Sequence, residues 1–395
     1  MSNRKSIDAA LSNAVTSGDV AGVVAMATDG RDVIYEGAFG SRVLGGSQPM
    51  TPDTVFWIAS MTKAITGTAV MQLVEQGRIG LDDDVGPHVP ALVKPRILAG
   101  FDNQGQPKFR PAKNAITLRR LLTHTAGFAY DMWNTDQLAY TSLTRLPRPV
   151  TFQKPEDCLP LAFEPGERWE YGVNIDWAGK VLEAITGETL DAHMQKYILQ
   201  PLGMRSTGYL LRAEISQRLA GGHQRQPDGQ LVAQPSPTVP VPPQDPKTFL
   251  GGGGLYGTAG DYIRFILMLL NGGALDGVRI LKPETVALMG QNHIGDLDVA
   301  VMRTARPALS YDAEFFPGMK KKWGLTFLIN TEDVPGGRSA GSLCWAGLMN
   351  TYYWIDPKRR IGGTIMAQSL PFADPKVLAL YDRFEKGVYS LATRQ

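Results

Sequence analysis

Residues 60–77, with the sequence SMTKAITGTAVMQLVEQG, carry the pattern on which the interpretation of the whole chain depends. Apolar side chains cover much of the circumference of a helix built from this stretch, and Gly77 suits a helix C-terminus. The pattern predicts a buried helix that begins at Ser60. The free N–H groups and the dipole at the start of such a helix would favour negative charge that develops on the Ser60 oxygen.

Lys63 lies three residues after Ser60 and therefore shares its face of the predicted helix. A lysine beside a buried helix start is unstable as a cation without a partner. Its pKa should therefore fall toward values at which the amine can take a proton from a hydroxyl. The spacing thus allows a serine nucleophile and its base. It also fits a serine N-cap followed by a surface lysine, because Ser-x-x-Lys often occurs by chance.

Runs with strand character lie near both ends of the chain. Residues 22–28 and 32–39 are joined by Asp29-Gly30, a dipeptide that favours a tight hairpin turn. Three further strands are predicted near the other end, at residues 342–348, 351–355 and 361–367. The simplest arrangement is one antiparallel sheet built from both ends of the chain and flanked by helices, an α/β fold of the α+β type.

The middle of the chain lacks the strand pattern of the two ends and is predicted to be mainly helical. Helical spacing occurs in three runs there, residues 116–123, 175–186 and 189–199. The proline-rich tract at 224–247 cannot form a regular helix or a central strand, so we expect a long surface crossing. The predicted division is a sheet domain at 1–90 and 250–395, with a mainly helical insert at 91–249.

The composition excludes several classes of protein. The 395 residues include 40 basic and 38 acidic side chains, and the net charge of +2 gives no field to hold nucleic acid. No apolar run approaches the roughly 20 residues of a membrane helix, and the N-terminal residues lack the apolar core of a secretory signal. We therefore expect a cytoplasmic protein without a membrane segment, in which Cys158 and Cys344 are free, packed thiols.

Other motifs are weaker candidates for chemistry. Residues 337–341, GRSAG, match the Gly-x-Ser-x-Gly nucleophile elbow, but all five histidines precede Ser339, which favours a turn that enters a strand. The glycines at 252–254 follow prolines rather than an apolar strand, which favours close helix packing over nucleotide binding. The basic run at 320–322 is expected to be a solvated loop. The histidine spacing indicates no metal site, and no cofactor is expected.

Several motifs together resemble the serine β-lactamase and penicillin-binding-protein superfamily, in its class C-like branch, and are most similar to family VIII carboxylesterases. They occur in that family's order over nearly the whole chain. These motifs are Ser60-Met61-Thr62-Lys63, residues 81–85 (LDDDV), residues 121–127 (LLTHTAG), Glu164-Pro165-Gly166 with Tyr171, residues 201–204 (PLGM), residues 252–255 (GGGL) with Asp261, and Trp345-Ala346-Gly347. The resemblance implies the β-lactamase/transpeptidase-like fold.

The resemblance also implies roles for individual residues. Ser60 would be the acylated nucleophile, Lys63 its proton partner and Tyr171 the general base. The backbone N–H groups of Ser60 and Leu348 would form the oxyanion hole. A phenol of pKa near 10 is mostly protonated at neutral pH, so Tyr171 needs a cation nearby, and Lys63 could supply it.

Two departures from the superfamily bear on the substrate. The chain has no Lys-Thr-Gly, and Trp345-Ala346-Gly347 occupies the equivalent substrate-binding position. Val173 stands where enzymes that handle amides usually have asparagine, and Asn174 follows one position later. An apolar ring in place of a cation should disfavour anionic β-lactams relative to neutral esters.

The expected function is a serine carboxylesterase that cleaves small esters with short acyl chains through a Ser60 acyl-enzyme. An acyltransferase to an alcohol and a weak β-lactamase remain open alternatives, and a non-catalytic scaffold is a further one. The expected partner is a small-molecule ester. Phe128, Tyr130, Trp133 and Trp177 lie near motif positions and could shape an apolar acyl pocket, although such aromatics could equally be core.

Overall fold

The computed structural model describes residues 3–144, 158–234, 244 and 248–392. Its strands are β1 (Gly22–Thr28), β2 (Val33–Gly40), β3 (Phe56–Trp57), β4 (Arg96–Phe101), β5 (Pro107–Pro111), β6 (His223–Arg225), β7 (Leu231–Ala233), β8 (Tyr256–Gly257), β9 (Ala274–Leu275), β10 (Val278–Arg279), β11 (Lys321–Trp323), β12 (Leu328–Asn330), β13 (Leu343–Gly347), β14 (Thr351–Asp356), β15 (Ile361–Met366) and β16 (Ser369–Leu370). Its α-helices are α1 (Asn3–Thr16), α2 (Thr62–Glu75), α3 (Leu118–Leu122), α4 (Thr135–Thr144), α5 (Asn174–Thr186), α6 (Leu190–Met194), α7 (Ala213–Ser216), α8 (Ala259–Leu270), α9 (Pro283–Met289) and α10 (Pro375–Ala392). Short 3-10 turns occur at Ala59–Met61 and Pro90–Leu92, and a π-helical turn at Gln195–Leu199 continues α6.

One antiparallel sheet joins the two ends of the chain, as the sequence predicts. Its strand order is β11-β12-β13-β14-β15-β1-β2. The hairpin of β1 and β2 adds to the C-terminal strands through β15, where Val24 lies opposite Met366. The predicted antiparallel sheet with flanking helices is confirmed.

Alternation along β14 shows how helices cover both faces of the sheet. Tyr352 and Trp354 contact aromatic rings of α10, whereas Tyr353 contacts Tyr262 of α8. Successive side chains of a strand point to opposite faces, so α8 and α10 lie on opposite sides of the sheet. Helix α1 packs against α10, and α2 packs against α5 and α6.

The basic run was predicted incorrectly. Lys321–Trp323 form the edge strand β11 rather than a solvated loop. Lys321 is buried and its amine lies 3.1 Å from a carboxylate oxygen of Glu314, while Lys322 donates to the Leu297 carbonyl at 2.7 Å. Their long apolar stems allow both lysines to lie along the sheet while their amines find acceptors.

The proline-rich tract is also only partly as expected. Its first residues, Gln224 and Arg225, belong to β6, the middle strand of a small sheet with the order β16-β6-β7. The prolines begin at Pro227, after this strand, so its backbone N–H groups remain able to pair. Residues 235–243 and 245–247 lie outside the described residues. The division into a sheet domain and an insert at 91–249 stays a prediction.

The turn at Ser339 and the burial of the two cysteines agree with the sequence interpretation. Ser339 lies in a turn that enters β13, and its backbone N–H donates to Asp356 at 2.9 Å. Cys158 and Cys344 are buried thiols that are not joined by a disulfide. Within the described ranges, no helix is both long and apolar enough to cross a bilayer. The same residues contain no group of three or more side chains arranged to hold a metal ion.

Candidate active site

Ser60 lies in the 3-10 turn that precedes α2, one turn earlier than the α-helix itself begins. Ala59 enters this turn with φ of 45°, a conformation that residues with a side chain rarely adopt. The turn is held from both sides, because Ile58 donates to the Leu255 carbonyl at 3.1 Å and Met61 accepts from the Tyr262 hydroxyl at 3.0 Å. The partly exposed Ser60 hydroxyl is therefore presented from a fixed backbone.

Lys63 is fully buried beneath Ser60 and has three acceptors. Its amine donates to the Ser60 hydroxyl at 3.0 Å, to the Tyr130 hydroxyl at 3.3 Å and to the Gly252 carbonyl at 2.5 Å. Burial lowers the pKa of Lys63 to about 7, and the negative charge of Asp176 opposes this change. Near neutral pH the amine can therefore exist as a free base beside the serine.

Tyr171 completes the group that the sequence predicts. The Trp345 indole donates to the Tyr171 hydroxyl at 2.9 Å, and the Lys63 nitrogen lies 4.8 Å from the centre of the Tyr171 ring. Burial raises the pKa of Tyr171, while hydrogen bonds from Ser60 and Trp345 act in the opposite direction. A phenol with a raised pKa keeps its proton near neutral pH, so the role of general base predicted for Tyr171 passes to Lys63 in the mechanism proposed below.

The backbone around Tyr171 explains why it reaches the site. Its carbonyl accepts from the N–H of Tyr130 at 3.1 Å, which joins the two tyrosine segments. A side chain at Gly172 would collide with the Phe128 carbonyl, so glycine is needed for this close approach. The ring centres of Tyr130 and Tyr171 lie 5.2 Å apart, and the lysine amine lies 5.4 Å from the first and 4.8 Å from the second.

Strand β13 brings the predicted substrate-binding residues beside the nucleophile. The Trp345 ring lies 4.8 Å from that of Tyr171, and Ala346 is buried. A side chain at Gly347 would collide with the Ile58 carbonyl, so the end of the strand abuts the turn that carries Ser60. Leu348 follows directly and is partly exposed. The roles of these residues in substrate binding and in the oxyanion hole stay predictions.

The four candidate pocket aromatics separate into two pairs. Phe128 and Trp177 stack with their ring centres 5.7 Å apart and are fully buried, so both belong to the core. Tyr130 and Trp133 are only partly buried, and both rings lie within 5.5 Å of the Tyr171 ring centre. Only this second pair lies at the site.

Asn174 does not replace the asparagine that Val173 displaces. Its amide contacts His124 Nδ1 at 3.0 Å and donates to the Phe128 carbonyl at 3.2 Å. Burial and the nearby Lys63 lower the pKa of His124 well below its ordinary value, so this histidine is neutral. Asn174 therefore links His124 to the backbone at Phe128 in the protein interior.

Sequence reasoning named Tyr130 and Gly252 only in other roles and missed Asp176. Tyr130 contacts the lysine amine directly, Gly252 supplies a carbonyl acceptor, and Asp176 places a buried carboxylate nearby. The signal for Asp176 was its position five residues after Tyr171, within a helix otherwise apolar on its inner face. Among the glycines at 252–254, Gly252 does allow close helix packing, because a Cβ atom there would lie 2.6 Å from Asp176 Oδ2 of α5.

Residues 258–261 (TAGD) have the pattern of a capping box at the start of α8, and half of this box is formed. Thr258 accepts from the backbone N–H of Asp261 at 3.1 Å, as an N-cap should. The Asp261 carboxylate instead accepts from the Ser206 N–H and the Thr207 hydroxyl, both at 2.8 Å. It thereby ties α8 to the segment after Met204.

The fold is that of the β-lactamase superfamily of enzymes, and the chain belongs to the Beta-lactamase family, whose sequence profile matches residues 7–386. A lovastatin esterase from Penicillium rubens is 32% identical over 97% of this chain and 98% of its own length. A monacolin J acid methylbutanoyltransferase from Aspergillus terreus is 31% identical over 97% of this chain and 95% of its own length. A mutant simvastatin synthase from Aspergillus terreus has a TM-score of 0.85 and 31% identity, over 98% of this chain and 97% of that one. The first two of these relatives carry the names of an esterase and an acyltransferase.

Proposed function

We propose that the protein is a serine carboxylesterase that cleaves small neutral esters with short acyl chains through an acyl-enzyme on Ser60. The observation that carries this proposal is the 3.0 Å contact between the Lys63 amine and the Ser60 hydroxyl. Burial lowers the pKa of Lys63 to about 7, so the amine can accept the serine proton at neutral pH.

In the first half-reaction the Ser60 oxygen attacks the ester carbonyl while its proton passes to Lys63. The new bond joins the serine oxygen to the acyl carbon, and the bond from that carbon to the leaving alkoxide breaks. Tyr171 gives its proton to the leaving alcohol and recovers one from Lys63. The backbone N–H groups of Ser60 and Leu348 hold the oxyanion, each contributing about 2.7–4 kcal/mol.

In the second half-reaction a water gives a proton to Lys63 while its oxygen attacks the acyl carbon. The bond from that carbon to the Ser60 oxygen breaks, the acid leaves, and Lys63 returns the proton to Ser60. An alcohol can take the place of water in the same step. The methylbutanoyltransferase and the lovastatin esterase among the relatives carry names that match the two outcomes. Acyl transfer to an alcohol is therefore the second candidate function.

Trp345 supports neutral esters over anionic substrates. Its indole ring contacts the rings of Tyr171 and Phe315, with centres 4.8 and 5.5 Å away. This ring offers apolar surface where other members of the superfamily present a cation to a substrate carboxylate. Weak β-lactamase activity remains a minor outcome, which a chromogenic cephalosporin measures directly.

The test is to replace Ser60 with alanine and to measure hydrolysis of p-nitrophenyl esters with acyl chains of increasing length. We expect S60A to lose turnover and labelling by a fluorophosphonate, and the wild-type enzyme to prefer short acyl chains. S339A is the matched control, since Ser339 is a buried turn residue, and it should retain both. Labelling that persists in S60A would refute the proposal. Adding an alcohol and quantifying the new ester separates transfer from hydrolysis.

A further inference from the structure

Asp176 is a buried carboxylate, 5% exposed, near the start of α5, and the mechanism above gives it no role. Its Oδ1 accepts from the Gly252 N–H at 2.8 Å. The Gly252 carbonyl accepts from the Lys63 amine at 2.5 Å. Two polar groups of one residue therefore connect the carboxylate to the amine that contacts Ser60.

The geometry of this connection is tight. A Cβ atom at Gly252 would lie 2.6 Å from Asp176 Oδ2, so only glycine lets the carboxylate approach this closely. The preceding carbonyl, that of Gly251, accepts from the Thr66 hydroxyl of α2 at 2.6 Å. The backbone at 251–252 is thus held between α2 and α5, with Lys63 and Asp176 on its two sides.

Other titratable groups face this pair from several elements. They are His124, Tyr130, Tyr171, Lys180 and Tyr209. Burial raises the pKa of the three phenols and lowers that of His124, so these four groups are neutral near pH 7. Lys180 lies one turn further along α5 and is paired with Glu183 at 2.6 Å. Asp176 is the carboxylate whose charge acts on Lys63.

We propose that Asp176 is a positioning residue for the Ser60 chemistry: it fixes the Gly252 carbonyl that orients the Lys63 amine, and its negative charge sets the pH at which that amine becomes a free base. This inference rests on the proposed function, in which Lys63 takes the serine proton. It assigns Asp176 no contact with the substrate.

The direction of the expected effect follows from the two influences on Lys63. Burial lowers the pKa of this amine, and the negative charge of Asp176 raises it. Asp176→Asn removes the charge, yet its amide oxygen can still accept from the Gly252 N–H. We expect the acidic limb of the pH profile of kcat/KM to move down by about one pH unit or more. The plateau should fall by about tenfold, since a weaker base removes the serine proton less readily.

Two further variants at the same position keep the experiment decisive. Asp176→Glu retains the charge, so its acidic limb should stay within about half a pH unit of the wild type even if kcat falls. Asp176→Ser is a second neutral variant, smaller than asparagine, and covers the case in which D176N does not fold. Asp356→Asn is the matched control, because Asp356 is also fully buried but accepts from Ser339 and Tyr389 instead.

The profiles are measured with p-nitrophenyl acetate on protein that a fluorophosphonate labels to completion. A downward move of the limb in D176N or D176S, absent in D176E and D356N, supports the proposal. A limb that stays in place in the folded neutral variants overturns it and leaves Asp176 a packing role. Activity that survives in S60A would instead overturn the proposed function itself, so the two failures are distinguishable.

Discussion

Replacing Lys63 with methionine should remove activity and stabilise the fold. The change from an ordinary pKa of 10.5 to about 7 means that burying this amine as a cation costs about 5 kcal/mol, at about 1.4 kcal/mol for each pH unit. Methionine has a similar length and no charge, so it can fill the same space. Asp176 loses its cation, but burial already raises the pKa of this carboxyl, so it can take up a proton. We expect a net gain of about 2 kcal/mol or more at pH 6.

The difference in the free energy of unfolding between K63M and the wild type should change with pH in a defined direction. Between pH 7 and 10.5 the unfolded chain holds a proton on Lys63 that the folded chain has released, so this residue makes wild-type stability rise with pH. The K63M variant lacks that rise. Its advantage should therefore be largest at pH 7 and below and should decrease by about 1.4 kcal/mol per pH unit above pH 7.

The assay is urea denaturation of both proteins at pH 6, 8 and 9.5, together with initial rates on p-nitrophenyl acetate. The rate should fall by roughly 100-fold to 10,000-fold, the usual contribution of a general base. Lys386→Met is the control, because Lys386 is exposed and should change the free energy of unfolding by less than about 0.5 kcal/mol. A K63M variant that is less stable than the wild type at pH 6, or a difference that does not vary with pH, would refute the reasoning.

Two further predictions concern the neighbours of the nucleophile. Trp345→Phe keeps an aromatic ring but removes the indole N–H that donates to Tyr171, and one such bond corresponds to roughly a tenfold loss in kcat. Steady-state rates and thermal unfolding should show this loss with little change in Tm, and an unchanged kcat would contradict it. Asn350→Asp should destabilise the turn after Leu348 by about 2 kcal/mol, because the amide of Asn350 donates to the carbonyls of Ser369 and Pro371. Urea denaturation measures this change, and equal stability of the two proteins would contradict it.

Much of the fold was predictable because it depends on local signals. The turn at Asp29-Gly30 and the apolar runs on either side of it define the first hairpin, which the structure confirms. The capping threonine of α8 is likewise a local pattern. The edge strand β11 was missed because a run of lysines usually indicates an exposed segment. Only tertiary contacts, such as that of Lys321 with Glu314, make the burial of these lysines possible.

The site was predictable in part for the same reason. Ser60 and Lys63 are one helical turn apart, so their contact is set by local geometry. Tyr130 contacts the same amine and Asp176 acts on it by its charge, and both come from distant segments, so only the tertiary fold brings them to Lys63. The size of the pKa change at Tyr171 could not be predicted from the sequence either, because it depends on how completely the fold removes water from the phenol.

The way in which the pKa of Lys63 is lowered bears on the choice between hydrolysis and acyl transfer. Burial, rather than a second cation, lowers the pKa of Lys63, so the amine can receive a proton from the serine and later from the acyl acceptor without any change in its surroundings. Nothing in this proton path distinguishes water from an alcohol. We expect the distinction to come from binding at the partly buried rings of Tyr130 and Trp133, where an apolar alcohol would gain contact area and water would not. We therefore expect changes at these two rings to alter the ratio of transfer to hydrolysis while the rate of acylation stays nearly constant.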